Sequence, residues 1–158
     1  MSRRDQIRMR PEEQKQFLAS ARTIIICSIG AGGIPHPMPM WFAVEDDGAV
    51  VMTTFTKSQK ILNIERDPRV SLLVEDGTVY TELRGVVIYG EAELVRGKEQ
   101  VLEILARVST KSAGGAGNAP NPEQLRSALM ATVPKRTGIR IRPERVVSWD
   151  HRKLGGVY

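Results

Sequence analysis

The sequence predicts a mainly β protein, an antiparallel barrel with peripheral helices. Three observations predict it. Segments that read as strands outnumber those that read as helices. They are joined chiefly by hairpin signals, Asp46-Asp47-Gly48 and Asp76-Gly77. The regular helical crossovers of a doubly wound parallel sheet are missing. At 158 residues the chain has sequence for one core, so it reads as a single domain over 1–158.

The elements follow in order. Residues 1–10, with Arg3, Arg4, Arg8 and Arg10, read as a solvated basic arm. Pro11-Glu12-Glu13 opens a helix, because proline suits the first helical position and acids suit the first turn. Thr23 to Ile29 is β-branched and apolar, the pattern of a strand buried on both faces. Prolines 35, 37 and 39 remove N–H donors from one side only of the following segment, so it belongs at a sheet edge. Val50 to Thr54, Val70 to Glu75 and Val79 to Leu94 continue the strands, with Gly85 and Gly90 as bends. Helices are predicted over Ser58–Arg66, stopped by Asp67-Pro68, and over 98–108 and 122–131. Ser109 to Asn121 reads as a flexible surface loop with room for a lid role. Thr137 to Trp149 is a closing strand broken at Pro143, and Asp150 onward is a polar C-terminal tail.

Composition excludes several function classes. With 41% hydrophobic and 26% charged residues the chain is globular rather than disordered. No run approaches the roughly 18 apolar residues of a membrane span. The charged N-terminus has no apolar stretch behind it and is not expected to be a secretory signal. The lone Cys27, in an apolar run, reads as a small buried hydrophobe in a reducing cytoplasm. His36 and His151 lie far apart, without metal-ligand spacing, so redox chemistry here requires a bound organic cofactor. The net charge of +5 calls for anionic partners. Nucleic acid is disfavoured, because the arginines lack interleaved aromatics.

One stretch carries the chemistry, Thr53-Thr-Phe-Thr-Lys-Ser-Gln-Lys-Ile-Leu-Asn-Ile-Glu-Arg-Asp-Pro-Arg69. Ser58 suits a helix N-cap. Lys57 and Lys60 then sit at the positive end of the helix dipole and Glu65 near the negative end, the reverse of the stabilising order. A phosphate at that position reverses the sign, accepting from free backbone N–H groups, a Ser58 or Thr54 hydroxyl and both ammonium groups. The charge order alone is equally compatible with a solvated helix start that binds nothing. No GxxxxGK[ST] or GxGxxG cradle is present, since Gly30 to Gly33 lacks the spacing and precedes prolines.

Taken together, Lys57-Ser58-Gln59-Lys60, Asn63 and Arg66-Asp-Pro-Arg-Val-Ser-Leu72 resemble the flavin-phosphate segment of the pyridoxamine 5′-phosphate oxidase-like proteins. Pro39-Met-Trp-Phe42, Thr81-Glu-Leu-Arg-Gly-Val86, Gly90-Glu-Ala92 and Trp149-Asp-His-Arg-Lys-Leu-Gly-Gly156 look most like the actinobacterial flavin/deazaflavin oxidoreductase branch. The resemblance covers nearly the whole chain. It implies an antiparallel Greek-key split β-barrel that works as a homodimer and binds coenzyme F420, with FMN as the alternative cofactor. It implies that Lys57, Ser58 and Lys60, helped by Thr54, hold the cofactor phosphate. The strand Met38 to Phe42 (Pro39, Met40 and Trp41 within it), with Met52 and Thr53, would then lie along the ring. Trp149, Arg152 and Lys153 would enter from the second subunit, and Arg8 and Arg10 would meet the acidic tail of F420.

This chain has Gln59-Lys60 where pyridoxamine phosphate oxidases carry Arg-Lys, and it lacks their arginine-rich C-terminal segment. The resemblance therefore does not extend to that activity. The activity it implies is reduction of a small electron-poor substrate by reduced F420. An FMN-dependent oxidoreductase and a non-catalytic cofactor-binding protein are the alternatives. No side chain stands out as an acid or base.

Overall fold

Eight strands form one strongly bent sheet in the order β2-β1-β5-β6-β7-β4-β3, with β8 also pairing β6. The computed structural model describes residues 2–114 and 121–156. Strands β1 (Thr23–Ile29), β2 (Pro35–Trp41), β3 (Ala43–Val44) and β4 (Val50–Phe55) come first. Then follow β5 (Arg69–Asp76), β6 (Arg84–Val95), β7 (Arg136–Ile141) and β8 (Arg145–Asp150), and every pairing is antiparallel. The predicted barrel class holds.

The twelve-residue β6 makes the bend. One of its edges pairs β5 from Arg84 to Glu91. Its other edge is shared: β8 takes Arg84 to Tyr89 and β7 takes Ala92 to Val95. Gly90 falls at the changeover, where an added Cβ would meet the Arg142 carbonyl oxygen at 2.4 Å. The predicted bend there is real, and Pro143 separates β7 from β8 as two strands rather than one interrupted strand. The strand predicted from Val79 begins at Arg84, after a 3₁₀ turn over Tyr80–Glu82. Strand β2 is the edge, and it also touches β4, which brings the two ends of the sheet together. Its prolines sit opposite Ile29, Cys27 and Ile25.

Burial in β1 alternates instead of covering both faces. Ile24, Ile26 and Ser28 point into the barrel, while Ile25 is 36% exposed and Cys27 is half-buried. The barrel core gathers Ile24, Ile26, Phe42, Met52, Ile88 and Ile139, each contributing ~1.5–3 kcal/mol by burial. A second cluster lies on the other side of β4, where Val51 packs on Val101, Ile104, Leu105 and Val108.

Five helices surround the sheet, α1 (Arg3–Ile7), α2 (Pro11–Ser20), α3 (Gln59–Arg66), α4 (Lys98–Ser112) and α5 (Pro122–Met130). The N-terminal segment is not a solvated arm. Helix α1 is closed by a reciprocal Ser2–Asp5 cap, Met9 is buried, and its N–H donates to Ser148 Oγ at 3.2 Å. Helix α4 passes the predicted end at Val108 and reaches Ser112. Residues 115–120 of the predicted loop, and 157–158 of the predicted tail, lie outside the described residues.

Gly85 stands directly opposite Trp149, and an added Cβ would meet the indole at 2.3 Å. The tryptophan thus lies flat on bare backbone. Gly85→Ala should cost about 1–3 kcal/mol by overpacking. In a Trp41→Phe background, which leaves Trp149 as the sole tryptophan, its emission should shift with the loss of stability in urea. An unchanged midpoint and spectrum would remove the stacking account.

Candidate functional site

The site begins where β4 leaves the sheet. Val50, Met52 and Thr54 alternate toward the barrel interior, and the chain then turns through 55–58 into α3. The helix is amphipathic: Lys60, Ile61, Asn63 and Ile64 face inward and are buried. Asp67 and Pro68 end it as predicted. Ser58 occupies the N-cap position with extended backbone, but its side chain caps nothing. Instead its Oγ accepts from Thr54 Oγ1 at 3.3 Å, so the helix N-terminus has no side-chain acceptor.

Lys60 decides the electrostatics. Its side chain is only 7% exposed, and its Nζ donates to Thr54 Oγ1 at 3.0 Å. No carboxylate comes within ion-pair distance among the described residues. Burial lowers its pKa below the ordinary lysine value, with no opposing charge to raise it. A buried ammonium beside an uncapped helix N-terminus is a concentrated positive field without a protein anion to answer it. Lys57 is exposed on the turn just before it. The two predicted ammonium groups therefore border one corner, one inside and one at its rim.

Polar bonds that the sequence did not reveal hold this corner rigid. Asn63 is fully buried and donates from Nδ2 to Ser28 Oγ at 3.0 Å, tying α3 to β1. Its Oδ1 accepts from Gln59 Nε2 at 3.0 Å and from Arg66 at 3.1 Å. Arg66 also donates to the Ile29 carbonyl at 2.7 Å. The available signal was Asn63 at the inward spacing of Lys60 and Ile64.

The other predicted residues fall elsewhere or take other roles. Met52 is wholly buried in the core, so its side chain offers a ring no surface. Thr53, also buried, faces the α4 side opposite Gly138. Phe42 is core as well, with the Lys111 ammonium 3.4 Å from its ring centroid. Along β2 the side chains alternate, with Met40 packing on the core while Pro39 and the 61% exposed Trp41 face outward. Arg152 is held bidentately by Asp150, at 2.8 and 2.5 Å. Lys153 donates to the Arg8 carbonyl at 2.7 Å and to Glu13 at 2.6 Å, pinning the N-terminal segment. The Lys153 ammonium, together with the Arg10 backbone N–H, holds the Glu13 carboxyl pKa down at about 2. Arg10 pairs with Glu13 at 3.1 Å, and Arg8 is exposed.

One protomer does not bring the two halves of the predicted site together. Thr54 pairs with Thr137 on β7, whose neighbour Gly138 faces Val95 at the end of β6. Trp149 pairs with Gly85 at the start of β6. Ten residues of strand separate those positions, a path of roughly 30 Å. Two cavities, each of about 860 Å³, lie beside α4, and neither is lined by Lys57, Ser58 or Lys60. Among the described residues no trio of His, Cys, Asp or Glu is placed to hold a metal, and no helix is long and apolar enough to cross a membrane.

The lowered Lys60 pKa has a consequence for stability. Between the folded pKa and the ordinary lysine value, the unfolded chain holds more protons, so raising pH through that window relieves the burial penalty and stabilises the fold. Lys60→Met keeps the packing and removes the charge. Urea unfolding should find it at least as stable as wild type at pH 7, with the difference shrinking as pH rises toward 10. A marked loss of stability at pH 7 would mean that the ammonium is needed for folding.

Comparisons with known proteins agree with this fold. Residues 11–150 match the Pyridoxamine 5′-phosphate oxidase family. A conserved hypothetical protein from Mycobacterium tuberculosis is similar in structure, with a TM-score of 0.87 and 39% identity over 100% of this chain and 95% of that one. An F420 reductase is similar with a TM-score of 0.63 and 22% identity, over 84% of this chain and 94% of that one. A FAD-binding protein from Mesorhizobium loti gives a TM-score of 0.62 and 18% identity, over 89% and 92% of the two chains. These last two likenesses are of fold. No curated protein matches the chain. The match across residues 11–150, with the antiparallel bent sheet shared with these structures, places this chain in the pyridoxamine 5′-phosphate oxidase family, with its split-barrel fold.

Proposed function

We propose that the protein is a cytoplasmic, homodimeric oxidoreductase that binds coenzyme F420 and passes its hydride to a small electron-poor substrate. The observation that carries the reading is Lys60, a buried ammonium with a hydroxyl partner and no counter-anion, at the start of an uncapped helix. A phosphate monoester fits that field: it accepts from Lys60, from the exposed Lys57, from Ser58 Oγ and from the first N–H groups of α3. Reduced F420 supplies the hydride. The chain's own residues bind and orient the cofactor and keep water from it; none is assigned as acid or base. The net charge of +5, with Arg8 and Arg10 exposed near the N-terminus, suits the polyanionic tail of F420.

The dimer has its own support. Antiparallel partners share a face, so Trp41, Pro39, Ile25, Leu73, Val87 and Val147 line one outward side of the sheet. All are at least partly exposed, an apolar surface of the kind an obligate partner covers. Trp149, flat on Gly85, belongs to the same face. A second copy packed there supplies the covering that one protomer lacks. In this reading Trp149 and Arg152 reach the cofactor of the partner, while Lys153 secures its own N-terminal segment.

FMN presents the same phosphate to the same corner and is the second reading. Wild type should polarise F420 fluorescence at micromolar concentration. Lys57→Ala combined with Lys60→Ala should weaken that at least ~10-fold, the effect of losing charge-assisted hydrogen bonds. Tight FMN binding without an F420 response transfers the site to FMN. Indifference to both ligands removes the cofactor reading. Sedimentation should give twice the 17.5 kDa of one chain, whereas a monomer would sink the shared pocket.

A further inference from the structure

We propose that the groove between α2 and the β3–β4 turn is a second binding site, for a small apolar monocarboxylic acid whose carboxylate is received by Lys111. The groove has a volume of about 860 Å³, within the ordinary range of small-molecule sites. Its walls are largely apolar: Leu18, Ala43, Val44, Ile88, Pro143 and Val146 line it. It shares no lining residue with the α3 corner. A recess of the same volume on the α4 side also borders Lys111, which therefore stands at the wall between two open spaces.

Lys111 gives the groove its chemistry. Its Nζ donates to the Leu18 carbonyl at 2.8 Å and sits 3.4 Å from the centroid of the Phe42 ring. An ammonium has three donors, and these contacts take up two directions. The third is left for a ligand. No carboxylate pairs with it among the described residues, although three line the same groove. Glu45 and Asp47 are both taken by Arg140, at 2.6 and 2.5 Å, and Asp46 lies beside Arg107 at 3.9 Å. Burial lowers the Lys111 pKa to about 8, which marks a cation that the protein itself does not neutralise. The same acidic rim, whose carboxylates their arginine partners screen only in part, disfavours a second negative charge more than a first. A phosphate dianion would meet Glu45, Asp46 and Asp47, whereas a carboxylate at the end of an apolar body needs only Lys111.

The charged groups lining the two spaces that Lys111 borders are Lys15 from α2, Glu45, Asp46 and Asp47 from the turn, Glu93 and Arg96 at the end of β6, Arg140 and Arg142 at the end of β7, Arg126 from α5, and Glu103 and Arg107 from its own helix. A carboxylate bound to the ammonium favours the protonated form, so affinity should fall as pH rises through about 8.

Octanoate is the probe, titrated calorimetrically into the full chain, with octanol and octyl phosphate as comparison ligands. Octanoate should bind more tightly than either, and Lys111→Met, which keeps the contact with Phe42, should weaken it at least ~10-fold and flatten its pH profile. Ala19→Glu, at an exposed position on the groove wall, adds a repelling charge without disturbing the core and should weaken octanoate too. It serves where Lys111→Met does not fold. Equal affinity for octanol, an unaltered affinity in both variants, or no binding at millimolar octanoate would overturn the proposal. Phosphate-ligand binding at Lys57 and Lys60 should be the same in both variants, so the two sites fail or stand separately.

Discussion

The functional account depends on one buried charge. Lys60 lies on the inward side of an eight-residue helix, bonded to Thr54 and otherwise surrounded by protein that offers it no anion. Proteins avoid this arrangement unless a partner completes it, because the ammonium has given up water without gaining an opposing charge. Everything around it is arranged to keep the corner in place. Asn63 bridges to Ser28, Arg66 to the end of β1, and Gln59 back to Asn63. The rigidity lies in the surroundings, and the unanswered charge lies at the centre.

The long strand β6 sets the second constraint. By pairing β8 along its first half and β7 along its second, it bends one sheet into two halves and sets Trp149 and the α3 corner against opposite ends of its run. A site drawing on both would need two copies. The outward face of the sheet, apolar from Trp41 across to Val147, has the character of a surface meant for covering.

Much of this was legible in the residues. The Asp46-Asp47-Gly48 hairpin signal, the alternate prolines and Asp67-Pro68 act locally, and each predicted the element that forms, whereas the strand expected straight after Asp76-Gly77 waits until Arg84. The position of Lys57, Ser58 and Lys60 at a helix start was legible from Ser58 as an N-cap, while their wrong charge order left a bound anion and a solvated helix start equally open. Other features depend on partners distant in sequence. The N-terminal arginines are exposed as predicted, but the segment that carries them is no free arm: Lys153 and Ser148, more than a hundred residues away, hold it down. Met52 read as ring-lining but is core, and Phe42 takes the core place that is the ordinary alternative for a large aromatic, because strand alternation in a bent sheet decides which side points inward. Lys111 was hidden in a stretch whose glycines and serines suggested a loop, while the helix runs on to Ser112.

The most direct test is the Lys60 titration itself, followed by NMR on protein carrying ¹³C-labelled lysine side chains, alone and with a bound phosphate-bearing cofactor. The account predicts a pKa below the ordinary lysine value in the free protein and a clear upward shift once the phosphate is bound. A Lys60 resonance that titrates identically in both states would contradict it, because no anion would then be meeting that ammonium.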